Sequence, residues 1–238
     1  MPSNKKLLQA AAGNAGDNLY VEDVFSTYIY QGNNGVNQII NGIDLSGEGG
    51  MVWQKARSTY SADHLLTDSA RGINGILKSN STAAEVTANS THFQSWNSDG
   101  FTLGSGFAGY ENFSGITDGI CSWTFRKAEK FFDVQTYTGN GTAGQAIAHN
   151  LGSTPGFIVV KVTSGADYWR CYHSSIGATG AVFLNATNGT STNVNHWNNT
   201  APTSTEFTAG LNVNSNNATY VAYLFASDAG GFGDDGSE

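Results

Sequence analysis

The chain has 238 residues, 39% of them apolar and 12% aromatic, with a formal net charge of −8. That length can bury one large core or two of about 100 residues each. An acidic balance without any run of Lys or Arg argues against nucleic acid and against anionic membrane surfaces, both of which need phosphate neutralisation.

Residues 1–24 come first and read as an attachment arm. "KKLLQAAAG" carries a small helical stripe of Leu7, Leu8, Ala11 and Ala12, with Gly13 placed to end it. Alone it is too short to be stable in water, so it orders only against a partner; the alternative is a frayed terminus. The segment lacks the apolar block of a secretory signal, and no stretch of the chain reaches the roughly 20 apolar residues that span a bilayer. No membrane insertion is expected.

From Phe25 onward the chain repeats itself. "FSTYIYQGNNG" overlays "FDVQTYTGNGT" at an offset of 107, which sets Tyr30 on Tyr137 and Gly32 on Gly139. "IDLSGEGGMVWQKA" overlays "HNLGSTPGFIVVKV" at 106, setting Gly50 on Gly156 and Lys55 on Lys161. Further on, "HLLTDSARG" overlays "WRCYHSSIG", "GILKSNST" overlays "VFLNATNG", and "SDGFTLGS" overlays "STEFTAGL". "GICSWTF" closes the first copy as "TYVAYLF" closes the second, at an offset of 100, with the surplus in a loop around "GFAGYENFSGITD". The copies span residues 25–131 and 132–227, and "RKAEKFFDVQTY" joins them with almost no linker, so they are expected to share an interface. Residues 228–238 read as an acidic, Gly-rich tail.

Charged residues make up only 13% of the chain, Gly numbers 30 and Pro 3, while β-branched, aromatic and turn residues dominate. Alternating segments such as "STYIYQ", "GMVWQKA" and "TYVAYLFAS", separated by turn clusters, predict an all-β fold. The expected architecture is two tandem antiparallel β-sandwich modules, jelly-roll or Ig-like, behind the N-terminal arm. One larger jelly roll, with half supplied by each repeat, is the alternative. "QGNNG", "TGNGT" and "NATNGT" read as hairpin turns and not as phosphate-cradling loops, since no helix follows them.

Chemistry is sparse. His64, His92, His149, His173 and His196 show no metal-ligand spacing. Asp63, Asp68, Glu85 and Asp99 are the candidates for a glycosidase pair, but all lie in the first copy, none keeps its register in the second, and they read as surface carboxylates. Cys121 and Cys171 read as buried small hydrophobes; a Cys171–His173 dyad is two residues on one strand face and nothing more. Lys55 and Lys161 recur after matching strands, either as strand-end caps or as contacts between modules or subunits. Trp53, Trp123 and Trp169 read as core. Trp96 and Trp197 sit among Asn, Ser and Thr in apparent loops, the mixture that a glycan-binding or protein-contact surface uses. No catalytic residue and no cofactor are expected.

Several long strings, "LLQAAAGNAGDNLYVEDVFSTYIYQGN", "NGIDLSGEGGMVWQKAR", "SWTFRKAEKFFDVQTYTGNGT" and "TYVAYLFASDAGGFGDDGSE" among them, carry a resemblance across essentially the whole chain. It resembles repeated-module virion-surface, tail-fibre-like structural proteins of tailed bacteriophages of the marine and cyanobacterial type. The resemblance implies a non-enzymatic place on the virion surface, tail or head, with other virion proteins held through the arm. It further implies a homo-oligomer, a trimer by analogy with fibres, in contact with a host-surface glycan. A capsid-decorating or tail-connecting protein without receptor role and a glycan-degrading depolymerase are the alternatives. Longer members continue past the Gly-rich segment, which makes this chain a short member or the first part of a longer one.

Overall fold

Side chains on a strand alternate between its two faces, so a strand that is apolar at almost every position must be covered on both. The segment 50–56 is such a strand: Val52 and Ala56 face one way, Met51 and Trp53 the other. Its counterpart 155–162 repeats the arrangement with Ile158 and Val160 against Phe157 and Val159. This doubled burial requires sheets stacked on both faces of each strand.

The computed structural model describes residues 19–57, 61–87, 92–105, 110–227 and 230–233. A four-residue helix, α1 (Val21–Val24), leads into the first half: β1 (Phe25–Tyr30), β2 (Asn37–Ile40), β3 (Gly50–Ala56), β4 (Leu65–Asp68), β5 (Gly72–Lys78), β6 (Val86–Thr87), β7 (Phe93–Asn97), β8 (Gly100–Leu103) and β9 (Ile120–Arg126). The second half runs through β10 (Phe132–Thr138), β11 (Gln145–Ala148), β12 (Pro155–Val162), β13 (Arg170–His173), β14 (Gly180–Phe183), β15 (Ser191–Thr192), β16 (Glu206–Ala209) and β17 (Thr219–Ala226). The fold is nearly all β.

Each half forms one six-stranded antiparallel sheet, ordered β1-β9-β3-β4-β5-β6 and β10-β17-β12-β13-β14-β15. A small sheet accompanies each: β2-β8-β7 in the first half, β11-β16 in the second. Pairing fixes the register of the repeat, because Met51 lies opposite Phe125 and Asp68, as Phe157 lies opposite Phe225 and His173. In the small sheets Ile39 pairs with Phe101 as Ile147 pairs with Phe207. One overlay needs correcting. Leu66 faces Leu77 where Cys171 faces Val182, so β5 answers β14 at an offset of 105, and the overlay of residues 75–82 on 182–189 is two residues out. A slip of two leaves every side chain on its original face, and alternation alone cannot detect it.

Three apolar clusters hold these layers together. The first lies between the first large sheet (Tyr30, Val52, Ile120) and its small sheet (Ile39, Phe93, Phe101, Leu103). The second repeats it with Ile158, Tyr220 and Leu224 over Ile147, Phe207 and Ala209. The third joins the two large sheets through their other faces, Met51, Leu66 and Leu77 against Phe132, Val134, Val159, Trp169, Cys171, Val221 and Tyr223. A fully buried side chain of this size contributes roughly 1.5–3 kcal/mol. The ten buried residues of that third cluster therefore make the joint comparable to either core.

The loops after β1 and β10 correct another expectation. "QGNNG" and "TGNGT" are not hairpin turns, since each carries the chain from a large sheet across to its small sheet. Tyr30 Oη donates to the Glu111 carbonyl and Tyr137 Oη to the Val213 carbonyl, both at 2.7 Å. The next residue is in each case a fully buried asparagine. Asn112 accepts from Asn33 N–H and donates to the Gly35 and Gly104 carbonyls. Asn214 accepts from Asn140 N–H and donates to the Thr142 carbonyl. A Cβ on Gly32 or Gly139 would collide with the backbone beside that asparagine, which is why glycine recurs there.

Both ends of the described chain are packed. Tyr20, Val24 and Phe232 are buried, Phe232 meets Phe131 edge-on at 5.9 Å, and Gly233 N–H donates to the Leu19 carbonyl. The expected arm and tail thus contribute residues 19–24 and 230–233 to the fold, because each supplies an apolar anchor. Leu7, Leu8, Ala11 and Ala12 lie outside the described residues.

Candidate functional site

The densest polar arrangement sits at the edge of the joint between the two large sheets. Asp68 ends β4 and Arg71 stands in the tight turn to β5, so a three-residue spacing folds the guanidinium back onto the carboxylate. Arg71 Nε donates to Asp68 Oδ2 at 2.7 Å, its Nη1 to Glu85 Oε2 at 2.7 Å, and its Nη2 to the Leu66 carbonyl at 3.2 Å. From the second half, Tyr223 Oη donates to Asp68 Oδ2 at 2.7 Å and accepts from Arg71 Nη2 at 3.2 Å. Asp68 is fully buried and Arg71 is 4% exposed. Burial disfavours the Arg71 charge, but Tyr223, Asp68 and Glu85 outweigh it and hold the guanidinium above its ordinary pKa. Burial pushes the Tyr223 hydroxyl well up, so it remains a donor.

Segment 78–85 latches onto the same joint. Trp169 Nε1 donates to the Lys78 and Ser81 carbonyls, both at 3.1 Å. Asp167 N–H donates to the Thr82 carbonyl and Glu85 N–H to the Thr163 carbonyl, both at 2.9 Å. Lys161, fully buried, donates through Nζ to the carbonyls of Thr82 and Asp167 at 3.1 Å and of Gly165 at 3.4 Å. Burial pulls its pKa down to about 8, with Asp167 raising it and Arg170 lowering it. Lys55, its counterpart, donates to the Ala62 carbonyl of its own half. The repeated lysine is thus a contact between copies at one position and a local cap at the other.

Asp68 is not a surface carboxylate but a buried one, because Arg71 and Tyr223 meet its charge. Glu85 shares that guanidinium, Asp63 pairs with Lys78 at 2.7 Å, and the Asp99 carbonyl accepts from Asn41 and Gly42 N–H. Cys121 and Cys171 are free and buried; burial raises both thiols, Cys171 to about 12. His173 is exposed and turns to Ser175 instead of Cys171. Among the described residues, no group of His, Cys, Asp and Glu is placed to hold a metal ion, and no helix is long and apolar enough to cross a membrane.

Trp197 is a correction. It is 2% exposed, donates Nε1 to the Gly180 carbonyl at 2.9 Å and stands edge-on to Tyr172 at 5.9 Å. It occupies the place of Phe93, since the preceding histidine carbonyl accepts from Gly104 N–H in one half and Gly210 N–H in the other. The next residues, Asn198 and Asn199, take left-handed φ of 53° and 52°, so the chain turns away and the counterpart of β7 is not formed. Trp96 is half-buried, 4.3 Å from Phe93. Of the other tryptophans, Trp169 is core, whereas Trp53 and Trp123 are half-exposed and meet at 6.1 Å.

Sequence reasoning missed Arg71 and Tyr223 as a pair, and the only trace of them was Asp68 three residues before an arginine. An apolar cavity of about 40 Å³ lies between the sheets, lined by Met51, Trp53, Leu66, Phe157, Val159 and Trp169 among others. It lacks the few convergent polar groups that orient a ligand and is a packing gap.

The geometry defines a layered all-β protein in which Asp68, Arg71 and Lys161 are buried at a joint between two like halves. Residues 21–237 match the model of a family described as a domain of unknown function (DUF7483), and the chain belongs to that family. No curated protein and no solved structure matches it.

Proposed function

We propose that this chain is a non-enzymatic structural component of a tailed-phage virion, built as two tandem antiparallel β-sandwich modules locked face to face. The observation that supports this most is the joint: Arg71, Asp68, Glu85, Tyr223 and Lys161 are all engaged in holding the halves together. A wide apolar contact with a buried charge network resists relative motion of the halves, as a component of a particle under mechanical stress requires. The sequence resemblance supplies the setting, the virion surface, with residues 1–24 meeting other virion proteins and with multiple copies giving avidity for a host-surface glycan.

Immunogold labelling of purified particles from a phage encoding this chain tests the reading. Label on tail or head is the expected result, and label confined to the particle-free lysate overturns it. Label on the head alone selects the capsid-decorating alternative over the host-contacting one. New reducing ends released from host envelope polysaccharide by the purified protein would make it a depolymerase instead.

A further inference from the structure

The flank formed by β1 and β2 differs from its counterpart in the second half in the large apolar side chains it exposes. Tyr28 (39% exposed), Ile29 (51%), Val36 (66%) and Ile40 (50%) crowd the flank formed by β1 and β2. Pairing sets Tyr28 and Ile29 against Gln135 and Thr136 of β10, and Ile40 against Ala148 of β11. Val36, just before β2, answers Gly144, just before β11. One scaffold thus carries large apolar groups on this flank in the first half and small or polar ones in the second.

Backbone and charge point the same way. β1 ends its sheet, pairing along all six residues with β9 and, among the described residues, with nothing on its other side. Native edges are normally blunted by Lys, Pro, a bulge or an inward charge. β1 has none of these: its register is unbroken, and from Phe25 to Ile43 there is no Asp, Glu, Lys or Arg, in a chain of net charge −8. The second-half segment has Asp133 in the equivalent strand. Ile29 lies on the same sheet face as Trp123, Trp53 and Leu66, which pair with one another across three neighbouring strands, and that face is buried in the joint at Leu66 and Met51.

We propose that this flank binds a second copy of the chain, the free edges of two β1 strands pairing antiparallel about a two-fold axis. An antiparallel edge is its own complement, and an isologous contact brings no like charges together here because the flank is uncharged. Opposed residues must share a face. A pair centred on Tyr28 sets Tyr28 beside its own copy and Ile29 opposite Thr27, making one continuous sheet of twelve strands from two of six. The closed two-fold replaces the threefold assembly expected from fibre analogy. The proposal rests on the free edge and not on the virion reading, so either fails without the other.

Sedimentation equilibrium of the full chain, with and without substitutions taken from its own second half, tests this. The wild type is expected as a dimer. Tyr28→Gln with Ile29→Thr is expected to weaken association by at least about tenfold, with unchanged circular dichroism and melting temperature. Ile29→Lys should abolish it, whereas Thr136→Lys on the second edge should leave it intact. A monomer at all concentrations, a trimer, or a dimer indifferent to Ile29→Lys overturns the proposal.

Discussion

The two halves share a strand order and a register but bury different things behind them. In the first, Gln54 lies inside the core and donates to Tyr30 Oη at 2.7 Å; in the second, Val160 takes its place and Tyr137 stacks on Tyr220 at 4.9 Å. The outer face of the second large sheet is closed by the first half, with Val134, Val221 and Tyr223 all buried. The matching face of the first sheet keeps Thr27 and Ile29 exposed and Trp123 half-exposed. Tyr223 and Trp123 are equivalent positions, one locked into a charge network and the other open to solvent. The lesson is that a repeat conserves what closes each core, Tyr30 and Tyr137, Gly32 and Gly139, Asn112 and Asn214, and frees the outward face to differ.

The sharpest way to break the comparison is Arg71→Ala, because the second half has Ile176 and His173 where the first has Arg71 and Asp68. Leaving Asp68 buried without its partner is expected to cost about 3–5 kcal/mol in urea unfolding, whereas Ile176→Ala, away from any charge network, should cost less. Gly32→Ala and Gly139→Ala should each cost about 1–3 kcal/mol, since either methyl forces backbone apart. Equal penalties sharpen the claim that the two loops are one device; a neutral Gly139→Ala would break it. Tyr223→Phe should cost about 1–2 kcal/mol by removing a buried donor to Asp68, against well under 1 for Trp123→Phe at the matching, half-exposed site.

A pH-dependent effect concerns Lys161. Its pKa in the fold is about 8 against an ordinary 10.5. Between those values the unfolded chain binds more protons than the folded one, so stability rises with pH across that window. Lys161→Met should flatten the rise, measured as melting temperature against pH.

Much of this was legible in residue order because large aromatic and glycine positions are constrained on several sides at once. Tyr30, Gly32, Gly50 and Phe101 meet Tyr137, Gly139, Gly156 and Phe207 without gaps inside strands. What escaped was non-local. The β5 overlay slipped by two because parity survives such a slip. Trp197 looked loop-borne because its polar neighbours are turn formers, yet the ring itself fills the place of Phe93. Asp68 looked superficial because the hydroxyl that meets it is 155 residues away. Lys161 recurred visibly, but the three carbonyls around it come from loops with no sequence signal.

The strand order has a kinetic consequence for a nascent chain. β1 has no neighbour until β9 is made, and β9 also supplies the second edge of β3, so neither half closes before its last strand leaves the ribosome. Such long-range closure is slow and leaves apolar strands waiting. In the second half the late strand is β17, which carries Tyr223. A synthesis stalled before Thr219 would therefore release a polypeptide with its first core closed but with neither its second core nor its joint, leaving Met51, Leu66 and Leu77 uncovered.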